Sequence, residues 1–253
     1  MVRTWIEIDQ KKAEQNYQTF RRLLKPGTRL MAVVKSNAYG HDLIQFAKLM
    51  ERFGIDWLGV DSIVEGLALR REGIKKPILV LGYTLPERFA EAKEKKVSLT
   101  VSTFEGLAAA KKSGVPFHLK IDTGMHRQGF LPADWPKLKG LAPEGIYTHL
   151  AAAKNPAFPK DTRDQLAAFH QALEIIGAKG AVRHAAATSG TLLFPESHFD
   201  LVRVGIGLYG LHPAKEVRAA LAGRLTLKPI LSWKTIVSEI KKLPAGSKIV
   251  YDL

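Results

Sequence analysis

Lys35 directly follows an apolar run, Arg29–Val34 (RLMAVV), and opens the segment Lys35-Ser36-Asn37-Ala38-Tyr39-Gly40-His41. An amine at the edge of an apolar layer loses hydration. That lowers its pKa and frees it to act as a nucleophile or base. The same position also suits a rim lysine that lays its stem on apolar surface and sends its ammonium to water. Other polar residues stand just after apolar runs in the same way. They are Asp122 and Arg127 after Phe117–Ile121, His149 at the end of Gly145–His149, Thr188-Ser189-Gly190 after Ala181–Ala185, and Arg203 and Gly205 within Leu201–Ile206.

These residues can act together only if the fold gathers the ends of their runs. Eight short apolar runs occur, the five above together with Trp57–Val60, Ile78–Leu81 and Val97–Val101. Helix-length stretches separate them, among them Asp42–Arg52, Ile63–Glu72, Pro86–Lys95, Phe104–Lys112 and Thr162–Ile176. Pro86 suits a first helical turn and Thr103 suits an N-cap. Strand–helix alternation predicts a parallel sheet with helices outside. Eight repeats predict an α/β protein built on a (β/α)8 TIM-type barrel, whose functional residues collect at the C-terminal strand ends. No G-x-G-x-x-G follows the first run, so an open dinucleotide-binding sheet is not expected.

Two segments lie outside that pattern. Residues 3–9 (RTWIEID) alternate like a strand wet on one face, and Gln10–Leu24 reads as an amphipathic helix. Leu231–Ile240 alternates and is rich in β-branched residues, Leu243-Pro244-Ala245-Gly246 reads as a turn, and Lys248–Leu253 reads as the start of another strand. The expected organisation is a barrel over residues 10–224. The start of a second, β-rich domain is expected over 225–253, with strand 1–9 added to it and the remainder cut off.

In the barrel, the loops after the last two strands form the usual phosphate-binding corner, where backbone N–H groups face an anion. Thr188-Ser189-Gly190 and Arg203–Ile206 fall there, and Tyr39 could add a hydroxyl. Ordinary turn chemistry would also explain the Ser, Thr and Gly. A lysine opposite a phosphate corner fits pyridoxal phosphate, whose aldehyde reacts with an amine and whose phosphate needs a cradle. His41, His118, His126, His149 and His184 lack metal-ligand spacing, so no metal is expected.

The segment from Val34 to Asp42 (VKSNAYGHD) resembles the pyridoxal-phosphate attachment signature of alanine racemases. The resemblance continues through Lys120–Arg127, Tyr147-Thr148-His149 and Phe199–Gly210, and covers essentially the whole chain. It implies a fold-type III barrel with a C-terminal β domain, working as a homodimer on alanine and supplying D-alanine for peptidoglycan. Carried over by residue, Lys35 holds the cofactor and is the acid/base on the D-alanine face. Tyr39, Thr188, Gly205 and Ile206 contact the phosphate, Arg203 faces the pyridine nitrogen, and His149 lies beside the ring. Arg127 meets the phenolic oxygen and the substrate carboxylate, Met125 lines the substrate pocket, and Lys120 matches a lysine carbamylated in many members. Tyr251 matches the tyrosine that serves the L-alanine face of the other subunit's site. Two bases on opposite faces are what racemisation needs. The family usually has Asn at Ala187 and Ser at Thr188.

Composition sets the outer bounds. The 253 residues include no Cys, 46% apolar and 25% charged residues, and 38 Lys+Arg against 24 Asp+Glu. Without cysteine there are no disulfides, thiolate metal sites or cysteine nucleophile. The N-terminus lacks a signal-peptide block and no run is long enough to span a membrane, which points to a cytoplasmic protein with no membrane partner. The net charge of +14 is scattered or flanks helices, as in Lys93–Lys96, apart from a net +6 between Lys215 and Lys248. Without aromatic interleaving this suggests a solvated basic surface or an anion-attracting field, not a nucleic-acid partner. Three alternatives remain at this level. They are a single-domain pyridoxal-phosphate barrel of the homeostasis type, a racemase of another small amino acid or a decarboxylase on the same plan, and a basic barrel binding nucleic acid.

Overall fold

The computed structural model describes residues 2–249 and 251. Its strands are β1 (Thr4–Ile8), β2 (Arg29–Val33), β3 (Trp57–Val60), β4 (Ile78–Val80), β5 (Ser98–Val101), β6 (Phe117–Lys120), β7 (Gly145–Tyr147), β8 (Val182–His184), β9 (Leu201–Val204) and β10 (Leu231–Thr235). The helices are α1 (Gln10–Leu23), α2 (Lys35–Gly40), α3 (Leu43–Arg52), α4 (Ile63–Arg71), α5 (Phe89–Glu94), α6 (Phe104–Ser113), α7 (Lys160–Ile176), α8 (Thr188–Leu193) and α9 (Lys215–Ala220). All eight expected barrel strands form.

They make one parallel sheet in the order β8-β7-β6-β5-β4-β3-β2-β9. The sheet closes between β8 and β9, where Asp200 N donates to Arg183 O and Arg203 N to Ala186 O, both at 3.0 Å. Alternate residues point to opposite sides of each strand. Leu30, Ala32, Leu58, Ile78 and Val80 pack under the helices, while Met31, Trp57, Leu79, Val182 and Leu201 fill the barrel interior. Further along the interior the side chains turn polar, with Thr100, His118, Lys120, His184 and Arg203 all buried.

Local sequence sets the helix ends. Ser62 caps α4 by accepting from Glu65 N, and Thr103 caps α6 by accepting from Gly106 N. Gly114 and Gly177 end α6 and α7 in the left-handed conformation, at φ 67° and 65°. On α1 the residues Ala13, Asn16, Tyr17 and Phe20 form one buried face against the barrel.

β1 and β10 pair antiparallel in a separate two-stranded sheet. β10 is shorter than the alternation of Leu231–Ile240 predicts. Its register pairs Thr235 with Thr4, the first residue of β1, and one more backbone bond joins Ile236 N to Arg3 O. Beyond that point no residue of β1 is left to pair with, and the alternating segment continues without a ladder. The expected turn forms, with Ser247 N donating to Pro244 O at 3.1 Å. The strand expected over Lys248–Leu253 does not appear at Lys248, Ile249 or Tyr251; its other positions lie outside the described residues.

Candidate active site at the barrel mouth

The C-terminal strand ends surround a cavity of about 850 Å³. Its lining includes Lys35, Tyr39, Lys120, Met125, Arg127, His149, Thr188, Arg203, Gly205 and Ile206. The site residues expected from sequence are gathered here except two: Tyr251, which is 91% exposed, and Asp122, whose Oδ1 accepts from the backbone N–H groups of Gly124, Met125 and His126; neither lines the cavity. The lining carries five cationic side chains (Lys35, Lys120, Arg127, Lys154, Arg203) and one carboxylate, Asp61. Such a mouth concentrates anions.

Lys35 follows β2 at the rim. Its side chain is 39% exposed and its Nζ donates to Asp61 Oδ1 at 3.2 Å. Of the two readings of its position, the structure bears out the rim lysine, here half-exposed and ion-paired. The next four residues, Ser36 to Tyr39, all have φ of 52–53° and ψ of 35–55°, so α2 is a left-handed turn. None of the four is glycine, and a left-handed L-residue costs about 1–2 kcal/mol. Tertiary contacts offset that cost. The Glu65 carboxylate accepts from both Asn37 N (3.1 Å) and Asp61 N (2.8 Å), and Asn37 Oδ1 accepts from Leu43 N (2.8 Å).

The turn brings Tyr39 over Gly205. A Cβ at Gly205 would sit 2.8 Å from the Tyr39 hydroxyl oxygen and 3.4 Å from Val33 Cβ. Thr188 Oγ1 accepts from Gly205 N at 3.3 Å, which leaves its hydroxyl hydrogen free to donate into the mouth. A glycine whose side chain would fill the cradle, two hydroxyls beside it and a cationic rim fit an anionic phosphate. Lys35 opposite fits an aldehyde. The residues present therefore suit pyridoxal phosphate. Among the described residues, no group of three His, Cys, Asp or Glu is arranged to hold a metal ion.

Arg203 is 3% exposed. It donates from Nη1 to His184 Nδ1 (2.8 Å) and from Nη2 to the carbonyls of Thr148 (2.8 Å) and Ala185 (3.0 Å), with His149 Nδ1 at 3.3 Å. Its guanidinium also lies over the Tyr147 ring, 5.0 Å from the centroid. Burial without a carboxylate partner lowers its pKa to about 10. Burial, then the charges of Arg203, Arg127, Lys120 and Lys35, push His149 down to about 3, so its imidazole is neutral. Lys120 is 5% exposed, donates to Gln128 Oε1 at 3.0 Å, and is lowered to about 8 by burial and by Arg127 and Arg203.

Sequence reasoning missed Asp61, Glu65, Gln128 and the part played by His184. Asp61 was open to discovery, because it follows the run Trp57–Val60 as Lys35 follows its own. Glu65 and Gln128 carry no such mark; their roles arise from tertiary contacts, Glu65 reaching from α4 to Asn37 N and Gln128 folding back onto Lys120 at the end of β6.

Eight parallel strands closed over a cationic, anion-receiving mouth define a (β/α)8-barrel protein whose site lies at the C-terminal strand ends. The sequence model of the alanine racemase N-terminal domain matches residues 8–213. An alanine racemase from Symbiobacterium thermophilum is 42% identical over 98% of this chain, which spans 68% of that relative. The solved alanine racemase of Clostridium difficile 630 superposes with a TM-score of 0.90 at 32% identity, covering 99% of this chain and 69% of that one. The enzyme from a D-cycloserine-producing Streptomyces lavendulae gives a TM-score of 0.88 at 35% identity, with 99% and 70% covered. The chain belongs to the alanine racemase family.

Proposed function

We propose that this chain interconverts L-alanine and D-alanine with pyridoxal 5'-phosphate as cofactor, and so provides D-alanine for peptidoglycan. The observation that carries the proposal is the single cavity that joins Lys35, Arg127, Arg203 and the Tyr39–Gly205–Thr188 cradle.

When bound, pyridoxal phosphate supplies the electron sink that lets an amino-acid α-proton leave. The roles of the residues follow from their chemistry. Lys35 Nζ would hold the cofactor through its aldehyde and, once displaced by the substrate's own amine, would move the α-proton on one face. Tyr39, Thr188 and the backbone of Gly205 and Ile206 bind the phosphate. Arg203 would meet the ring nitrogen as a donor only, because a guanidinium has no lone pair to accept its proton. By leaving that nitrogen unprotonated, Arg203 would temper the electron withdrawal and favour return of a proton over loss of the amine. Neutral His149 supports Arg203 from beside the ring. Arg127 orients the substrate carboxylate, and Met125 bounds the space for the methyl group.

Lys120, at about 8, keeps an appreciable share of neutral amine near physiological pH. A neutral amine can add to carbon dioxide, releasing a proton and leaving a carbamate anion that suits the neighbouring Arg127. Tyr251 supplies the second acid/base on the opposite face of a second copy's site, which makes the working unit a homodimer. Its near-complete exposure leaves it available to another chain. Residues 231–253 with 1–9 belong to a unit distinct from the barrel, a division supported by the separate β1–β10 sheet; it falls past the expected 225 because Leu227 and Ile230 are buried in the barrel core. A cytoplasmic location is supported by the cysteine-free sequence and the reaction itself; no helix among the described residues is long and apolar enough to cross a membrane.

The test is borohydride reduction of the cofactor-loaded protein, peptide mapping, and a chiral assay of alanine. Label on the Lys35 peptide with conversion of either enantiomer supports the proposal. Label spread over surface lysines, with no conversion, refutes it.

A further inference from the structure

Arg203 makes one of its two shortest side-chain hydrogen bonds to a side chain in the barrel interior, and that contact begins a relay. His184 Nδ1 lies 2.8 Å from Arg203 Nη1. His184 Nε2 lies 2.8 Å from His118 Nδ1. His118 Nε2 faces Glu144 Oε2 at 3.5 Å. Glu144 also accepts from Ser98 Oγ, and its side chain is 36% exposed. Glu144 immediately precedes β7 and Ser98 opens β5. The relay therefore runs from the active-site arginine to solvent at the opposite end of the barrel.

Its direction is fixed. A guanidinium only donates, so His184 Nδ1 must accept and the proton of this ring sits on Nε2. That nitrogen donates to His118 Nδ1, which places the second ring's proton on Nε2 as well, aimed at the carboxylate. Both imidazoles are fully buried. Burial holds both in the neutral form, His184 further disfavoured as a cation by Arg203 and then His118. The surroundings hold the rings in place. Tyr147 stacks on His184 at 4.6 Å and 7°, and the edge of His118 meets Trp57 at 5.3 Å. Gly145 leaves room for the His118 ring, since a Cβ there would overlap it.

We propose that Glu144 is a positioning residue for Arg203. By holding its carboxylate 3.5 Å from His118 Nε2, a buried nitrogen with no hydrogen-bond partner among the described residues, it fixes His118 and His184 by charge–dipole attraction, and through them the guanidinium that would face the cofactor ring. The assignment of Arg203 to the cofactor rests on the function proposed above; the relay itself does not.

Two measurements separate the two claims. The first is nitrogen-15 NMR of the histidines in the cofactor-free 253-residue chain. Both rings should carry their proton on Nε2 and show downfield, slowly exchanging N–H signals. Glu144→Gln keeps an acceptor oxygen and should keep both signals. Glu144→Leu should lose the His118 signal, and Gly145→Ala should lose it without removing a polar group. The second is pyridoxal phosphate affinity. It should stay within about twofold in Glu144→Gln and weaken about five- to tenfold in Glu144→Leu. A proton on Nδ1 of either ring in the unsubstituted chain overturns the proposal. So do unchanged signals and unchanged affinity in Glu144→Leu. If the unsubstituted chain binds no cofactor, the function proposal fails while the NMR result still decides the relay.

Discussion

The Lys35 Nζ lies 3.2 Å from the Asp61 carboxylate; Asp61 directly follows β3, and Lys35 lies two residues past the end of the adjacent strand β2. A lysine so held must leave its partner before it can react with an aldehyde. Asp61 is 54% exposed at its side chain, and exposed pairs are worth no more than about 1 kcal/mol. Asp61→Asn should therefore speed pyridoxal phosphate capture by no more than about fivefold, read by stopped-flow absorbance. A slower capture would show that Asp61 assists the reaction and does not restrain it.

Gly205 is held to zero side-chain volume by Tyr39. Gly205→Ala would put a Cβ 2.8 Å from the Tyr39 hydroxyl oxygen and 3.3 Å from its Cζ. The tyrosine must then swing away from the cradle. Cofactor affinity should fall at least about tenfold while the fold loses no more than about 1 kcal/mol, because φ at this position is not left-handed. Titration by visible absorbance and thermal melting would separate the two effects.

Lys120 makes stability depend on alkali. Its pKa falls from the ordinary 10.5 to about 8 in the fold, so the unfolded chain binds the extra proton between those values. Its contribution is fully present above pH 10.5, is lost as pH falls toward 8, and stays lost below. Lys120→Met should raise stability at pH 7 by about 1–3 kcal/mol and flatten the rise between pH 8 and 10.5. Denaturant melts across that range in carbon dioxide-free buffer test this; a variant no more stable than the parent would contradict it.

His149 acts on the acid side with the same sign. The folded value of about 3 lies below the ordinary 6.5, so its contribution is complete above pH 6.5 and drains away as pH falls toward 3. The loss should reach about 2 kcal/mol at pH 5. His149→Asn should remove that part of the acid limb while other groups still titrate, a difference visible in paired melts at pH 7 and 5.

The barrel was readable because parallel strands are covered on both faces and appear as unbroken apolar runs. Polar residues that interrupt the ends of such runs were readable as the mouth, and this located Lys35, His149 and Arg203 together. The left-handed turn was not readable. Ser36-Asn37-Ala38-Tyr39 contains no glycine, and the bonds from Glu65 that enforce its shape come from the next strand–helix unit. The length of β10 was not readable either, since alternation marks a segment able to form a strand, while β1 determines how much of it does. Glu144 gave no signal because its importance depends on two histidines that meet edge to face inside the barrel.

Strand β2, which delivers Lys35, pairs with β9, which delivers Arg203. The two meet across the seam where the first and last barrel strands adjoin, with most of the chain looped between them. Long-range contacts of this kind form late, because the intervening loop must be closed first. On the ribosome the lysine emerges early and the arginine only after seven of the eight barrel strands. An unfinished chain thus holds a reactive amine without the cradle that selects its aldehyde. Competence to capture the cofactor arrives in one step, at barrel closure, and makes the time course of capture a direct clock for the last event of folding.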